Sequence, residues 1–119
     1  MVITHEHTDH IKGVGMLSKS YNIPVYANAD TMPLVLSQVG DLYDRNIRII
    51  QSGVPFTIRD IQVMPFSTPH DAVAPMGYTF CTDFGIMSVA TTTIATSTAR
   101  FHIKEYMYSL RIFLTFKFS

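Results

Sequence analysis

One short stretch near the start of the chain constrains its fold more than any other feature. Residues 4–13, THEHTDHIKG, contain three of the five histidines of the chain together with a glutamate and an aspartate. The apolar run 1–4 precedes the histidines and predicts the end of a buried strand. Imidazole nitrogens and carboxylate oxygens together suit zinc, manganese or iron. The stretch is therefore either a solvated polar loop or a metal site at the carboxyl end of a strand.

The spacing of these side chains favours the metal site. His5 and His7 are two positions apart, so an extended chain directs both to one side, where they can bind one ion. Asp9 continues this alternation, and His10 lies beside it at the expected start of a helix. The pattern His-x-His-x-Asp-His can therefore serve two adjacent ions, one for each pair. Two ions about 3.5–4 Å apart can activate a water molecule for hydrolysis.

The rest of the chain first alternates helices with strands and then changes to hairpins. Apolar residues three and four positions apart predict a helix over 11–21, for which Asp9 is a candidate cap. A second helix is predicted over 31–39, between Asp30 and Gly40. Strands are predicted over 24–27, 47–50, 56–58, 61–64, 77–82 and 86–91. This mixture predicts an α/β (α+β) fold with helices packed on one face of a sheet.

Length and composition are those of one globular domain or part of one. The chain has 119 residues, of which 47% are hydrophobic and 15% charged, and its formal net charge is zero. It therefore lacks the basic excess that drives sequence-independent binding to phosphates. Cys81 is the only cysteine, which excludes an internal disulfide and predicts a reducing, cytoplasmic setting. No apolar run reaches the about 18 residues of a membrane span, and the polar histidine stretch excludes a signal peptide at the N-terminus.

The histidine stretch resembles the signature of the metallo-β-lactamase superfamily, which is His-x-His-x-Asp-His after a buried strand. Two longer segments, VITHEHTDHIKGVGMLSKSYNIPVYAN and FSTPHDAVAPMGYTF, are similar to the bacterial YycJ/WalJ-like branch of that superfamily. The resemblance implies that residues 1–91 are the central part of an αββα sandwich whose N- and C-terminal parts are missing here. Residues 92–119 form a divergent tail by the same comparison.

The resemblance also implies roles for individual residues. His5, His7 and His70 would bind one metal ion, and Asp9 and His10 would bind a second, with Asp9 also acting in catalysis. Zinc is the expected metal, two ions in the parent fold, and manganese is the alternative. The implied activity is hydrolysis of a phosphodiester, in nucleic acid or a small molecule, by a metal-bound hydroxide. A non-catalytic metal-binding remnant and a structural module are the competing interpretations.

Some neighbouring residues are expected to support the site without binding metal. Asp71 follows His70 and is expected to orient a neighbouring group, as carboxylates beside metal-binding histidines do. Glu6 lies between two ligands and is expected to point away from them. Cys81 is expected to be a buried thiol, and His102 matches no motif.

The resemblance fails at Thr92. The superfamily places an aspartate that bridges both metals at the end of a strand reading Ala-Thr-Asp, whereas this chain reads Ala90-Thr91-Thr92. A threonine hydroxyl is neutral near physiological pH and is a poor replacement for a bridging anion. Codons for residues 92–101 can be chosen so that a shifted frame encodes aspartate at this point, so we interpret the tail as out of frame. The sequence therefore predicts an inactive form of a metal-dependent hydrolase.

Overall fold

The computed structural model describes residues 1–92 and one strand of the tail, and these form helices packed on two sheets. The helices are α1 (Thr8–Ile11), α2 (Val14–Tyr21) and α3 (Thr31–Val39), with a short 3₁₀ turn at Asp44–Asn46. The strands are β1 (Val25–Asn28), β2 (Ile47–Ile50), β3 (Phe56–Ile58), β4 (Ile61–Ser67), β5 (Met76–Thr82), β6 (Gly85–Thr92) and β7 (Arg111–Phe116). The predicted mixture of helices and strands is confirmed.

The smaller sheet carries the first chain segment to the histidines. β1 and β2 are parallel, with Val25 opposite Ile47. On the other side of β1, Val2 forms an isolated parallel bridge with Tyr26. The Ile3 amide donates to the Tyr26 carbonyl oxygen at 2.9 Å, which completes this bridge. Because all three segments run in the same direction, His5 lies at the edge of the sheet where β1 and β2 also end.

A first hydrophobic core lies between this sheet and the helices. Its members come from the first segment, all three helices, β1 and the chain after α3, so it fixes the histidine stretch against the body of the protein. They are Ile3, Ile11, Val14, Val25, Ala27, Met32, Val35 and Leu42.

The larger sheet has the order β3-β4-β5-β6-β7, antiparallel except for the parallel pair of β6 and β7. Its buried residues Val63, Met76 and Tyr78 pack against Val2 and Ile50 of the first segment and β2. A second core therefore joins the two sheets. Strands β4 and β6 end, and β5 begins, at one edge of the larger sheet, because neighbouring antiparallel strands alternate in direction.

Three expectations from the sequence are wrong in detail. The helix predicted over 11–21 is two helices, because the chain turns at residues 12–13 while Ile11 and Val14 both stay buried. Asp9 lies inside the first turn of α1, and the N-cap position belongs to His7. Cys81 is only partly buried. By contrast, α3, β2 and β3 have the predicted bounds.

Within the tail after Thr92, the structure describes only strand β7. β7 pairs with β6 along its whole length, with Thr92 opposite Phe116. His102 and the other residues of 93–110 and 117–119 lie outside the described residues, so the interpretation of the tail as divergent stays a prediction. None of the helices in the described part of the chain is long and apolar enough to cross a membrane.

Candidate metal centre

Three histidines from two distant segments converge at the edge of the sheets. His5 and His7 follow the bridge between Val2 and Tyr26, and His70 lies in the loop between β4 and β5. One ring nitrogen from each lies within 4.8 Å of the other two. The Nε2 atoms of His5 and His70 are 3.2 Å apart. The structure thus brings His70 together with the first two histidines, and the binding of a metal ion by the three stays a prediction.

Backbone hydrogen bonds bring the His70 loop to this position. The Met76 amide at the start of β5 donates to the Thr4 carbonyl oxygen at 2.8 Å. The Thr68 amide donates to the Pro75 carbonyl oxygen at 3.1 Å and closes the base of the loop. His70 therefore lies opposite His5 because the larger sheet is joined to the first segment directly before the histidines.

The separation of the histidine nitrogens fits a single metal ion. Two imidazole nitrogens that each bind zinc tetrahedrally at about 2.0–2.1 Å lie about 3.3 Å apart. The distance of 3.2 Å between Nε2 of His5 and Nε2 of His70 agrees with this geometry. Unprotonated nitrogens this close repel each other unless a proton or a cation lies between them. The donor set therefore fits a cation.

Neighbouring oxygen atoms assign the protons on two of the rings. A carbonyl oxygen only accepts, so His7 donates from Nε2 to the Asp71 carbonyl oxygen at 3.0 Å and keeps Nδ1 as a ligand atom. The Asp71 carboxylate lies 3.4 Å from His70 Nδ1, which favours a proton there and leaves Nε2 as the ligand atom. His5 Nδ1 is 2.9 Å from the Thr4 hydroxyl, which leaves its Nε2 directed at His70. Asp71 thus contacts two of the histidines, through its carbonyl oxygen and its carboxylate, and Thr4 contacts the third.

Burial keeps His5 neutral. The side chain is fully buried, and this desolvation, followed by the charges of His10, His70 and His7, lowers the pKa of His5 to about 4. A neutral imidazole binds a metal ion without first releasing a proton. His5 is therefore prepared for metal binding at neutral pH.

Asp9 and His10 adjoin this group from the first turn of α1. The ring centroid of His10 is 4.3 Å from that of His5. The His10 Nε2 atom lies 3.9 Å from a carboxylate oxygen of Asp9. Both side chains are exposed, unlike His5. The structure thus places this pair beside the three histidines but not inside their tight group.

Three further hydrogen bonds hold the histidine stretch, and two of them involve Gln38, which the sequence did not single out. Glu6 accepts a hydrogen bond from the Val73 amide at 3.0 Å and is not part of the tight group of histidines. Gln38 of α3 donates to the Glu6 carbonyl oxygen and accepts from the Thr8 hydroxyl, both at 2.8 Å. Gln38 lies in no motif, because its role depends only on where α3 packs.

Thr92 ends β6 at the same edge of the larger sheet at which β4 leads into the His70 loop. The position at which the resemblance expects a bridging aspartate therefore lies on the side of the sheet that carries the histidines.

A family model described as the beta-lactamase superfamily domain matches residues 1–107 of the chain. The chain belongs to this family. Two curated relatives are similar over about two thirds of the chain. An exodeoxyribonuclease YycJ from Bacillus anthracis is 41% identical over 80 residues, which are 67% of this chain and 30% of that protein. An exodeoxyribonuclease WalJ from Streptococcus pneumoniae (strain D39) is 39% identical over 85 residues, 70% of this chain and 32% of that protein.

Solved structures of beta-lactamase superfamily proteins share the fold. The Rm3 metallo-beta-lactamase superposes with a TM-score of 0.63 at 22% identity, covering 84% of this chain and 43% of that one. This likeness confirms a partial metallo-β-lactamase sandwich. The chain spans about a third of the length of these two curated relatives.

Proposed function

We propose that this chain is the central part of a metal-dependent hydrolase that cleaves phosphodiester bonds in nucleic acid. The observation that carries the proposal is the convergence of His5, His7 and His70, with ligand nitrogens within 4.8 Å of one another. The two relatives described as exodeoxyribonucleases support DNA as the substrate class. A cytoplasmic setting is part of the proposal, since DNA is the substrate and the sole cysteine, Cys81, forms no internal disulfide.

The residues divide into two groups for metal binding. His5 and His70 bind one ion through Nε2, and His7 binds it through Nδ1. Asp9 and His10 lie beside them and hold a second ion. Zinc suits this set of nitrogen and carboxylate ligands best, and manganese is the next choice. When bound, such ions polarise a phosphoryl oxygen and lower the pKa of a water molecule.

The side chains position the reacting groups. Thr4 and Asp71 fix the orientation of the imidazoles through the hydrogen bonds and close contact described above. Asp9 is exposed to solvent beside His10, so its carboxylate is accessible to a water molecule and can accept its proton. We therefore assign Asp9 a catalytic role in addition to metal binding.

For this chain on its own, we propose the non-catalytic alternative. Thr92 supplies a neutral hydroxyl at the position where the resemblance expects an anion between two dications. Without that anion the repulsion between the ions is less compensated, and Asp9 and His10 are too few protein ligands for a tight second site. The chain should then bind one ion through its three histidines and hydrolyse nothing.

Metal titration and a nuclease assay on one set of variants test both statements. Purified chain should bind about one zinc per molecule. The His5→Ala/His7→Ala double variant should lose this binding, and His10→Ala should keep it. Single-stranded DNA should remain intact with all three proteins. Two tightly bound ions, or DNA cleavage that the double variant abolishes, would contradict the inactive form and support a complete two-metal site. Absence of any binding by the wild-type chain would refute the metal centre.

A further inference from the structure

Glu6 lies between two histidines of the candidate metal centre, and its side chain reaches the opposite segment of the site. His5 and His7 flank it, so the alternation of side chains directs Glu6 away from the ion. Its Oε1 atom accepts a hydrogen bond from the Val73 amide at 3.0 Å, across 67 positions of sequence. This bond joins the histidine stretch to the loop that carries His70.

The loop is fastened to the histidine stretch on both sides of Ala72. The Asp71 carbonyl oxygen accepts from His7 Nε2 at 3.0 Å, and the Val73 amide donates to Glu6. His70 directly precedes these two points, and its Nε2 atom lies 3.2 Å from that of His5. The position of His70 relative to His5 therefore depends on contacts made by the residues that follow it.

A residue of α3 also forms a hydrogen bond with Glu6. Gln38 Nε2 donates to the Glu6 carbonyl oxygen at 2.8 Å, so the backbone of Glu6 is anchored while its side chain reaches the loop. Its other carboxylate oxygen, Oε2, is buried and has no hydrogen-bond partner among the described residues. One acceptor oxygen, rather than the negative charge, makes the contact. A glutamine can supply the same oxygen.

We propose that Glu6 is a positioning residue that sets His70 in the metal centre. The inference rests on the proposed binding of an ion by His5, His7 and His70. Ordering the backbone of an exposed loop opposes binding if it has to occur when the ion arrives. The Glu6–Val73 bond completes this ordering beforehand, so that His70 is in place as the third ligand. Without the bond, the ion would be held by His5 and His7 while His70 samples other positions.

The test measures the zinc affinity of the full chain by competition with a chromophoric chelator, with zinc alone as the ligand. Glu6→Ala removes the acceptor, and Glu6→Asp withdraws it by one methylene. Both should lower the affinity about 10–100-fold, the usual effect of losing a residue that orients a metal ligand. Glu6→Gln keeps the acceptor and should stay within about twofold of the wild type.

The same substitutions in a His70→Ala variant distinguish positioning of His70 from a general effect on folding. In His70→Ala, the added Glu6→Ala change should alter the affinity by no more than about twofold, because the ligand that Glu6 positions is already absent. Amide hydrogen exchange at Val73 provides a metal-free readout. It should be slow in the wild type and Glu6→Gln, and faster in Glu6→Asp and Glu6→Ala.

The possible failures are distinguishable. Unchanged affinity in Glu6→Ala and Glu6→Asp would overturn the role of Glu6 and leave the metal centre intact. An equal loss in the wild-type and His70→Ala backgrounds would overturn it too, since Glu6 would then act on the fold or on the other ligands. If the wild-type chain bound no zinc, the proposed metal centre would fail, and the inference with it.

Discussion

The Tyr78 hydroxyl shows how one residue connects the core to the histidines. Its side chain is fully buried in the core between the sheets, and its Oη atom donates to the Ile3 carbonyl oxygen at 2.5 Å. Ile3 precedes His5 by two positions. The hydroxyl of a buried tyrosine thus satisfies the hydrogen-bonding capacity of the Ile3 carbonyl oxygen, just before the candidate metal centre. Burial also raises the pKa of Tyr78 above the ordinary value for tyrosine.

Replacing Tyr78 with phenylalanine should lower the free energy of unfolding by about 1–3 kcal/mol, because the Ile3 carbonyl loses its buried donor. Urea unfolding at neutral pH measures the change. Tyr26→Phe is the matched control, since the Tyr26 ring stacks on Phe56 with the ring centroids 5.1 Å apart and the bond of Tyr26 to Ile3 is made by its backbone, which the substitution keeps. A loss as large in Tyr26→Phe as in Tyr78→Phe would show that the hydroxyl of Tyr78 is not responsible.

The same tyrosine predicts a loss of stability in alkali. Unfolded tyrosine loses its proton near pH 10, whereas folded Tyr78 retains it to higher pH. Above about pH 10 the folded state therefore binds more protons than the unfolded state, and the stability that Tyr78 contributes declines as the pH rises. The difference in unfolding free energy between wild type and Tyr78→Phe should shrink from pH 9 to about pH 11. A constant difference over this range would contradict the assignment.

At the level of elements, α3 supports the candidate metal centre through Gln38. Its amide group bridges the Glu6 carbonyl oxygen and the Thr8 hydroxyl, so the turn between His5 and α1 is held by a helix that contributes no ligand. Residues with such roles arise from the packing of whole helices, and this explains why no motif contains them.

Gln38→Ala should lower the free energy of unfolding by about 1 kcal/mol, because both hydrogen bonds are exposed and water replaces part of their contribution. It should also weaken zinc binding, since Glu6 and Thr8 lose their common anchor. Ser37→Ala is the control on the same helix, because the Ser37 hydroxyl donates only to the Leu34 carbonyl oxygen within α3. Calorimetric unfolding and zinc competition measure the two effects. Equal zinc affinity in both variants would limit Gln38 to a role in stability.

At the level of the whole molecule, the decisive feature is the meeting of two sheets at one edge. The first segment and the larger sheet each bring part of the ligand set to this edge, and β6 brings Thr92 to the same side. Under the proposed function, the residue at the end of β6 would determine how many ions the site holds.

Thr92→Asp should raise the number of tightly bound zinc ions from about one towards two, because the carboxylate can bridge two dications and offset their repulsion. Thr82→Asp adds the same charge at the end of β5, on the opposite edge of the sheet, and should leave the number unchanged. Elemental analysis after dialysis measures both. The same number of ions in Thr92→Asp as in the wild type would show that this position does not reach the site.

The genomic DNA around codon 92 tests the interpretation of the tail. A shifted frame should encode aspartate at this point and then continue the beta-lactamase superfamily pattern. The absence of such a continuation in both alternative frames would refute the frame change.

The sequence by itself determined the features that depend on local backbone geometry. The spacing of His5, His7, Asp9 and His10 brings these side chains into one neighbourhood, because the period of an extended chain or a helical turn is fixed by covalent structure. The bounds of α3, β2 and β3 followed from apolar periodicity and turn residues for the same reason.

The resemblance named His70 as a site residue, but only the tertiary structure shows how it reaches the histidines near the start of the chain. His70 reaches His5 across 65 positions because β5 begins with a hydrogen bond to the first segment. The proton positions on the rings, the bond from Val73 to Glu6 and the bridge by Gln38 depend on the same association of sheets and helix. The break in the helix at residues 12–13 was also decided by packing, since Ile11 and Val14 each face the core from a separate turn. Such contacts leave no periodic pattern in a sequence, because they join segments whose separation is set by the fold rather than by the backbone.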